Sequence, residues 1–142
     1  MNATETPSAD VRYSPDHLWL RREGTGDEVT VGITERIARI LTLVNTVALP
    51  APGASIAQGA ELAAIDAQKA AFELPAPVAV RITAANNRLT REPLLVRTDP
   101  RGGGWLLRCT LARPHDWDQL LDHAAYQALV EHEQQRGQQG SN

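Results

Sequence analysis

Apolar residues at every second position, in short runs cut off by glycine and proline, constrain this 142-residue chain more than any other feature. Leu18 and Leu20 alternate with Trp19 and Arg21, a Gly24-Thr25-Gly26-Asp27 turn follows, and Val29, Val31 and Ile33 alternate with Glu28, Thr30 and Gly32. A period of two places one face of a strand in the core, so this is a β-hairpin. The period returns from Thr46 and is stopped by Pro50, Pro52 and Gly53, with a further turn at Gly59. Glu61 to Ile65 and Ala70 to Leu74 then form two strands joined by Asp66-Ala67-Gln68-Lys69. Pro75 and Pro77 lead into Val78, Val80 and Ile82, and the Asp99-to-Gly104 turn leads into Trp105, Leu107, Cys109 and Leu111. Many short strands at close spacing predict a mainly β fold, a compact sandwich or barrel.

Helix is expected at few places. Thr34 is placed to cap one, with Glu35 in its first turn and Ile37, Ile40, Leu41 and Val44 on one apolar face. Asn86 to Pro93 reads as turn or broken helix. Past Pro114 the chain turns helical, with Leu120 and Leu121 closing a short turn, Asp122 capping a second helix and Ala125, Leu129 and Val130 facing inward. Residues 1–10 and 132–142 carry no apolar period and are expected to be disordered tails around one domain over 11–131.

Composition removes several classes of function. The chain is 42% hydrophobic, enough for a core at a length where about 70% of the unfolded surface is buried on folding. A net charge of -3 and an aromatic content of 4% speak against a nucleic-acid binder held by phosphate contacts or base stacking. Cys109 is the only cysteine, which excludes an internal disulfide and any cysteine-based zinc cluster. The first ten residues have neither the basic nor the apolar region of a signal peptide. The charge-free stretch from Ile40 to Ala60 holds Pro50, Pro52 and Gly53, which break a spanning helix. A cytoplasmic protein without a membrane partner is expected.

His17, His115, His123 and His132 lack metal-ligand spacing, so no metal site is expected. Cys109 lies within an alternating strand and reads as a small buried hydrophobe. There is no Gly-x-Ser-x-Gly elbow, and the glycines at 102–104 lack the lysine and hydroxyl of a phosphate loop. No catalytic residue is assigned, and the chain is not read as an enzyme. One residue stands apart: among fourteen basic side chains thirteen are arginine, and the sole lysine is Lys69, between two strands and among Ala67, Ala70 and Ala71. An isolated lysine between two strands is ordinarily a solvated turn residue; an amine on a stiff turn, free of neighbouring bulk, also suits enzymatic acylation, which removes its charge and leaves a long uncharged arm.

Across residues 13–130 the chain resembles the glycine cleavage system H proteins, a family of lipoyl carriers. Tyr13-Ser14-Pro15-Asp16-His17-Leu18-Trp19 is similar to the family's Tyr-x-x-x-His-Glu-Trp, and Val31-Gly32-Ile33-Thr34 to its Val-Gly-Ile-Thr. Val47-Ala48-Leu49-Pro50 with Gly53 resembles Val-Glu-Leu-Pro-x-x-Gly, and Asp66-Ala67-Gln68-Lys69-Ala70 resembles Glu-Ser-Val-Lys-Ala, whose lysine bears lipoate. Ala76-Pro77-Val78 is similar to the start of the family's return strand. Asp99-Pro100 with Gly104-Trp105-Leu106 resembles Asp-Pro-Tyr-Gly-x-Gly-Trp-Leu, and Leu120-Leu121-Asp122 with Ala125-Tyr126 the C-terminal helices.

The resemblance implies a flattened barrel-sandwich hybrid with a short helix in the N-terminal half and helices at the C-terminus. It implies R-lipoate attached covalently to Lys69 by a lipoate-protein ligase or lipoyl transferase, with Asp66, Ala67, Gln68, Ala70 and Glu73 around the arm. The implied partners are glycine decarboxylase, which loads an aminomethyl group, aminomethyltransferase, which unloads it, and dihydrolipoyl dehydrogenase, which reoxidises the dithiol. Three departures bear on the cargo. The family's Glu before Trp is Leu18, its Gly-Asp is Thr42-Leu43, and its Ser-Gly in the return strand is Ala79-Val80, a β-branched residue where glycine is usual. A cationic adduct beside Leu18 would lack a partner. The alternatives are therefore a lipoate-binding protein of another pathway, such as heterodisulfide-reductase-like sulfur oxidation with its own enzymes, or an unlipoylated interaction module.

Overall fold

The computed structural model describes residues 10–23, 27–41, 43–68 and 70–140. The expected N-terminal tail (save Asp10), the Gly24-Thr25-Gly26 turn, Thr42, Lys69 and the last two residues lie outside the described residues.

The alternating segments form strands in two antiparallel sheets. The larger runs in the order β1 (Val11–Tyr13), β2 (Leu18–Arg22), β3 (Glu28–Ile33), β9 (Leu107–Leu111), β8 (Val80–Ala85), β5 (Ser55–Ile56). The smaller consists of β4 (Val44–Ala48), β6 (Glu61–Ala67) and β7 (Ala70–Pro75), with β6 in the middle. Val29, Val31 and Ile33 from one sheet and Leu62, Ile65 and Leu74 from the other belong to one buried cluster. The fold is therefore mainly β, two sheets sharing a core without closing into a barrel.

Among the described residues four short helical pieces and one longer helix trim the sheets: α1 (Glu35–Ile40), α2 (Arg88–Arg91), α3 (Leu95–Thr98), a 3-10 helix (Pro114–Gln119) and α4 (His123–Gly140). Asp122 caps α4 as expected, its Oδ1 accepting the Ala125 N–H at 2.8 Å. Several expectations need correction. The apolar run after Thr34 is helical only to Ile40; Val44 already belongs to β4, and Ile40 is exposed. Ala125 faces solvent, and Tyr126 takes the buried place on α4. Trp105 precedes β9 rather than opening it. The run from residue 132, expected to be disordered, continues α4 to Gly140. Its Glu, Gln and Arg residues have adequate helix propensity, so they extend a helix already nucleated without an apolar stripe of their own.

A second, aromatic cluster fastens α4 to the larger sheet. Tyr13 and Tyr126 stack with centroids 4.5 Å apart, and fully buried Trp19 joins them. Trp19 faces Gly32 across the β2–β3 ladder, where a Cβ would come within 2.5 Å of the indole. Glycine in the middle of a strand is here the space the ring occupies. The Trp19 indole N–H donates to the Pro100 carbonyl at 3.1 Å, tying the Asp99–Gly104 turn to the sheet. Among the described residues no helix is long and apolar enough to cross a membrane.

Candidate functional site

The β6–β7 hairpin is longer and tighter than the alternation suggested. Asp66 and Ala67, expected in the connecting loop, are strand residues: Asp66 pairs with Ala71, and Ala67 with Ala70. The connection is reduced to Gln68 and Lys69, the length that most rigidly fixes a hairpin's register. Strand alternation then sorts the candidate residues. Ala67 is buried, Ala70 half-buried, and Asp66, Gln68 and Glu73 exposed. Glu73 pairs with Ala64, so both carboxylates lie on the outer face of the smaller sheet. Lys69 itself lies outside the described residues.

Two backbone contacts brace this end of the hairpin, and no sequence periodicity points to either. The Gln68 N–H donates to the Leu43 carbonyl at 2.8 Å, joining the connection to the segment between α1 and β4. The Arg97 Nε–H donates to the Leu41 carbonyl at 2.7 Å, joining that segment to α3. The connection is thus held from the segment that leads into β4 as well as by its own ladder. Ala67 and Ala70, the strand residues that bound it, and Ala71 beyond them present only methyl groups. This setting fits a long covalent arm on residue 69: a stiff base, with small alanines on both strands that bound it.

Among the described residues no group of three or more His, Cys, Asp or Glu could hold a metal ion. His17 instead anchors α4. Its Nε2 lies 3.0 Å from Glu133 Oε1, and a carboxylate accepts, so this nitrogen carries the proton. Its Nδ1 lies 2.9 Å from the Tyr126 hydroxyl, which also meets Thr34 Oγ1 at 2.8 Å. Burial pushes the Tyr126 phenol up, keeping it a hydroxyl that can donate. Thr34 therefore stands at the N-cap position of α1 with extended backbone, yet spends its hydroxyl on Tyr126 and makes no cap bond. His17 adopts φ of 69°, in the left-handed region that a histidine enters at a cost. The two ring contacts hold it there.

Cys109 pairs with Val29 on one side and Ile82 on the other and has no solvent exposure. Burial, and secondly the Glu28 carboxylate, pushes its thiol up to about 12. The native protein is expected to show no reaction with an aromatic disulfide reagent at neutral pH, and one thiol after denaturation; rapid native reaction would contradict the burial. The unfolded thiol gives up its proton more readily, so this contribution to stability is whole below the ordinary thiol range and is lost as pH rises toward 12.

Of the three departures noted in the sequence, Leu18 and Val80 are ordinary in the structure. Leu18 has no solvent exposure and belongs to the main core, so no surface cleft offers it to a bound cation. Val80 is a regular β8 residue paired with Leu111 and Ile56; His17 is the one non-glycine among the described residues with positive φ. The glycine once expected there is not required. Leu43 is different, being half exposed beside the hairpin.

Comparison with known proteins bears on this arrangement as a whole. The family model described as glycine cleavage H-protein matches residues 11–133. The chain is 40% identical over 124 residues to the glycine cleavage system H protein of Citrobacter koseri, covering 87% of this chain and 95% of that one. It is 39% identical over 125 residues to the protein of the same name from Escherichia coli, covering 88% and 96%. A crystal structure of a glycine cleavage system H protein from Mycobacterium marinum superposes with a TM-score of 0.73 at 26% identity, covering 87% of this chain and 98% of that one.

Proposed function

The chain belongs to the glycine cleavage H-protein family, and from that premise we propose that it is a non-catalytic lipoyl carrier with Lys69 as its attachment point. One observation supports this most: the only lysine in the sequence falls in the two-residue connection of a hairpin whose register is fixed on both strands. A lipoate-protein ligase or lipoyl transferase would attach R-lipoate there. The lipoyl group would supply a disulfide able to take up a one-carbon unit together with two electrons.

The chain's own residues do the mechanical work. The β6–β7 ladder and the Gln68–Leu43 bond fix the base of the arm, so its mobility is confined to the arm. Ala67, Ala70 and Ala71 leave its root unobstructed, and Asp66 and Glu73 place negative charge on the face beside it. A reactant tethered in this way is presented at a raised effective concentration to each enzyme that docks, without a fresh bimolecular search. In this reading residues 11–131 form the carrier unit and work in the cytoplasm. The partners are glycine decarboxylase, aminomethyltransferase and dihydrolipoyl dehydrogenase, and the cargo is an aminomethyl group.

The test has two stages. Incubation with ligase, ATP and lipoate should add the mass of one lipoyl group, mapped to Lys69; a chain that stays bare would refute lipoyl carriage. The lipoylated protein with glycine and its decarboxylase should then develop one free thiol per chain, a readout that buried Cys109 does not disturb. Full lipoylation without any glycine-dependent thiol would transfer the carrier to another pathway, the sulfur-oxidation alternative among them.

A further inference from the structure

Among the described residues three large apolar side chains are exposed: Ile40 and Leu43 at 52% and Leu94 at 44%. They are not scattered. Ile40 ends α1, Leu43 precedes β4 and Leu94 precedes α3. These segments meet beside the hairpin connection: α1 packs on α3, Arg97 bonds the Leu41 carbonyl, and Gln68 bonds the Leu43 carbonyl. Single exposed leucines need no explanation, but all of them gathered at one edge of the candidate site do.

On the α1–α3 side of this face the uncommitted charge is of one sign. Between α1 and α3 lies a shallow concavity of about 290 Å³, bordered by Arg39, Arg97 and Glu35. Glu35 is already taken up by Arg101, which donates to both its oxygens at 2.9 and 3.0 Å. Arg39 is exposed and has no partner among the described residues. Arg97 commits its Nε–H to a backbone carbonyl and keeps its terminal N–H groups for another acceptor. An apolar centre with unsatisfied guanidinium groups at its rim has the composition of a protein interface whose other half is acidic.

We propose that the Ile40–Leu43–Leu94 face, with Arg39 and Arg97, is the docking surface for an enzyme that services the arm, and that the enzyme meets it with an apolar patch bordered by carboxylates. The inference rests on the carrier reading of Lys69. A lipoyl arm folding onto the same face would have no use for the arginines, since it is uncharged. A nucleic acid would find the cations but few aromatic side chains in a chain of net charge -3. Docking here places the partner one backbone hydrogen bond from the hairpin connection, so the arm's base is positioned by the same contact.

Binding is measured with the unlipoylated chain, using aminomethyltransferase and glycine decarboxylase of the same organism as probes, so that failure of lipoylation and failure of docking are read separately. Leu43→Asp and Arg39→Glu should each raise Kd for at least one enzyme roughly tenfold or more. Arg39→Lys should recover most of the loss, and added salt should weaken the native complex. Amide shifts on titration should centre on Ile40, Leu43 and Leu94. Both positions are exposed, and an unchanged Tm shows that the variants fold. Four results overturn the proposal: no binding of either enzyme, a Kd unmoved by both substitutions, shifts centred elsewhere, or self-association of the native chain that Leu43→Asp abolishes. It also fails if the substitutions leave Kd alone and change only how fast a small reductant reaches the lipoyl disulfide, which would make the face a shelter for the arm.

Discussion

Lys69→Arg is expected to abolish lipoylation outright while leaving the fold intact. Attachment requires the amine lone pair to attack the activated carboxyl carbon of lipoate: an amide bond forms, the activating group leaves, and the nitrogen loses a proton. Arginine matches the length and charge of lysine, but its guanidinium stays protonated and its nitrogen electrons are delocalised, so it offers no nucleophile. The sequence contains no second lysine to take over. Intact mass after incubation with ligase, ATP and lipoate should show no adduct, and glycine-dependent thiol formation should vanish with it. Because the substitution keeps a long cation next to exposed Gln68, stability should move by no more than about 0.5 kcal/mol. An adduct of unchanged yield on the variant would place the attachment elsewhere and remove the basis of the proposed function.

Gly104→Ala is expected to be the most damaging small change to the fold. A Cβ at residue 104 would overlap the Leu95 carbonyl oxygen and lie 2.8 Å from that of Asp99, both of them backbone atoms that cannot swing aside. The demand is for close approach; the glycine has no positive φ. The region that would shift is heavily bonded. Asn86 Nδ2 donates to the carbonyls of Gly103 at 2.9 Å and Trp105 at 2.7 Å, and the Gly104 N–H donates to the Asp99 carbonyl at 2.8 Å. Overpacking of this kind costs about 1–3 kcal/mol, which lowers Tm by roughly 3–10 °C in a chain of this size. Gly103→Ala is the control, since its Cβ would meet Asp99 at an ordinary 3.5 Å. It should cost within about 0.5 kcal/mol. Equal losses from the two, measured by calorimetry, would refute the steric explanation.

The strands were legible because apolar residues alternate with others along the chain, plainly at Val29, Val31 and Ile33, although the intervening Thr30 and Gly32 are buried as well. The hairpin bearing Lys69 was legible for the same reason, although its connection was drawn two residues too long. Ala67 and Ala70 are too small for hydrophobicity to mark them as a strand pair. α3 went unread because four residues, Leu95–Thr98, offer one turn and no period. Ile40 was assigned to the core because helical spacing shows which residues share a face but not how far the core reaches along it.

The sequence by itself determined the mainly β class and the isolation of one lysine between two strands, because both follow from local order along the chain. Only the tertiary structure decided that Leu43 and Arg97 stand beside the hairpin, that Leu18 is sealed in the core, and that His17 reaches Tyr126 and Glu133. Those relations join residues tens of positions apart through backbone hydrogen bonds and packing. Neither leaves a period in the chain, so they come into being only when the two sheets close on their common core.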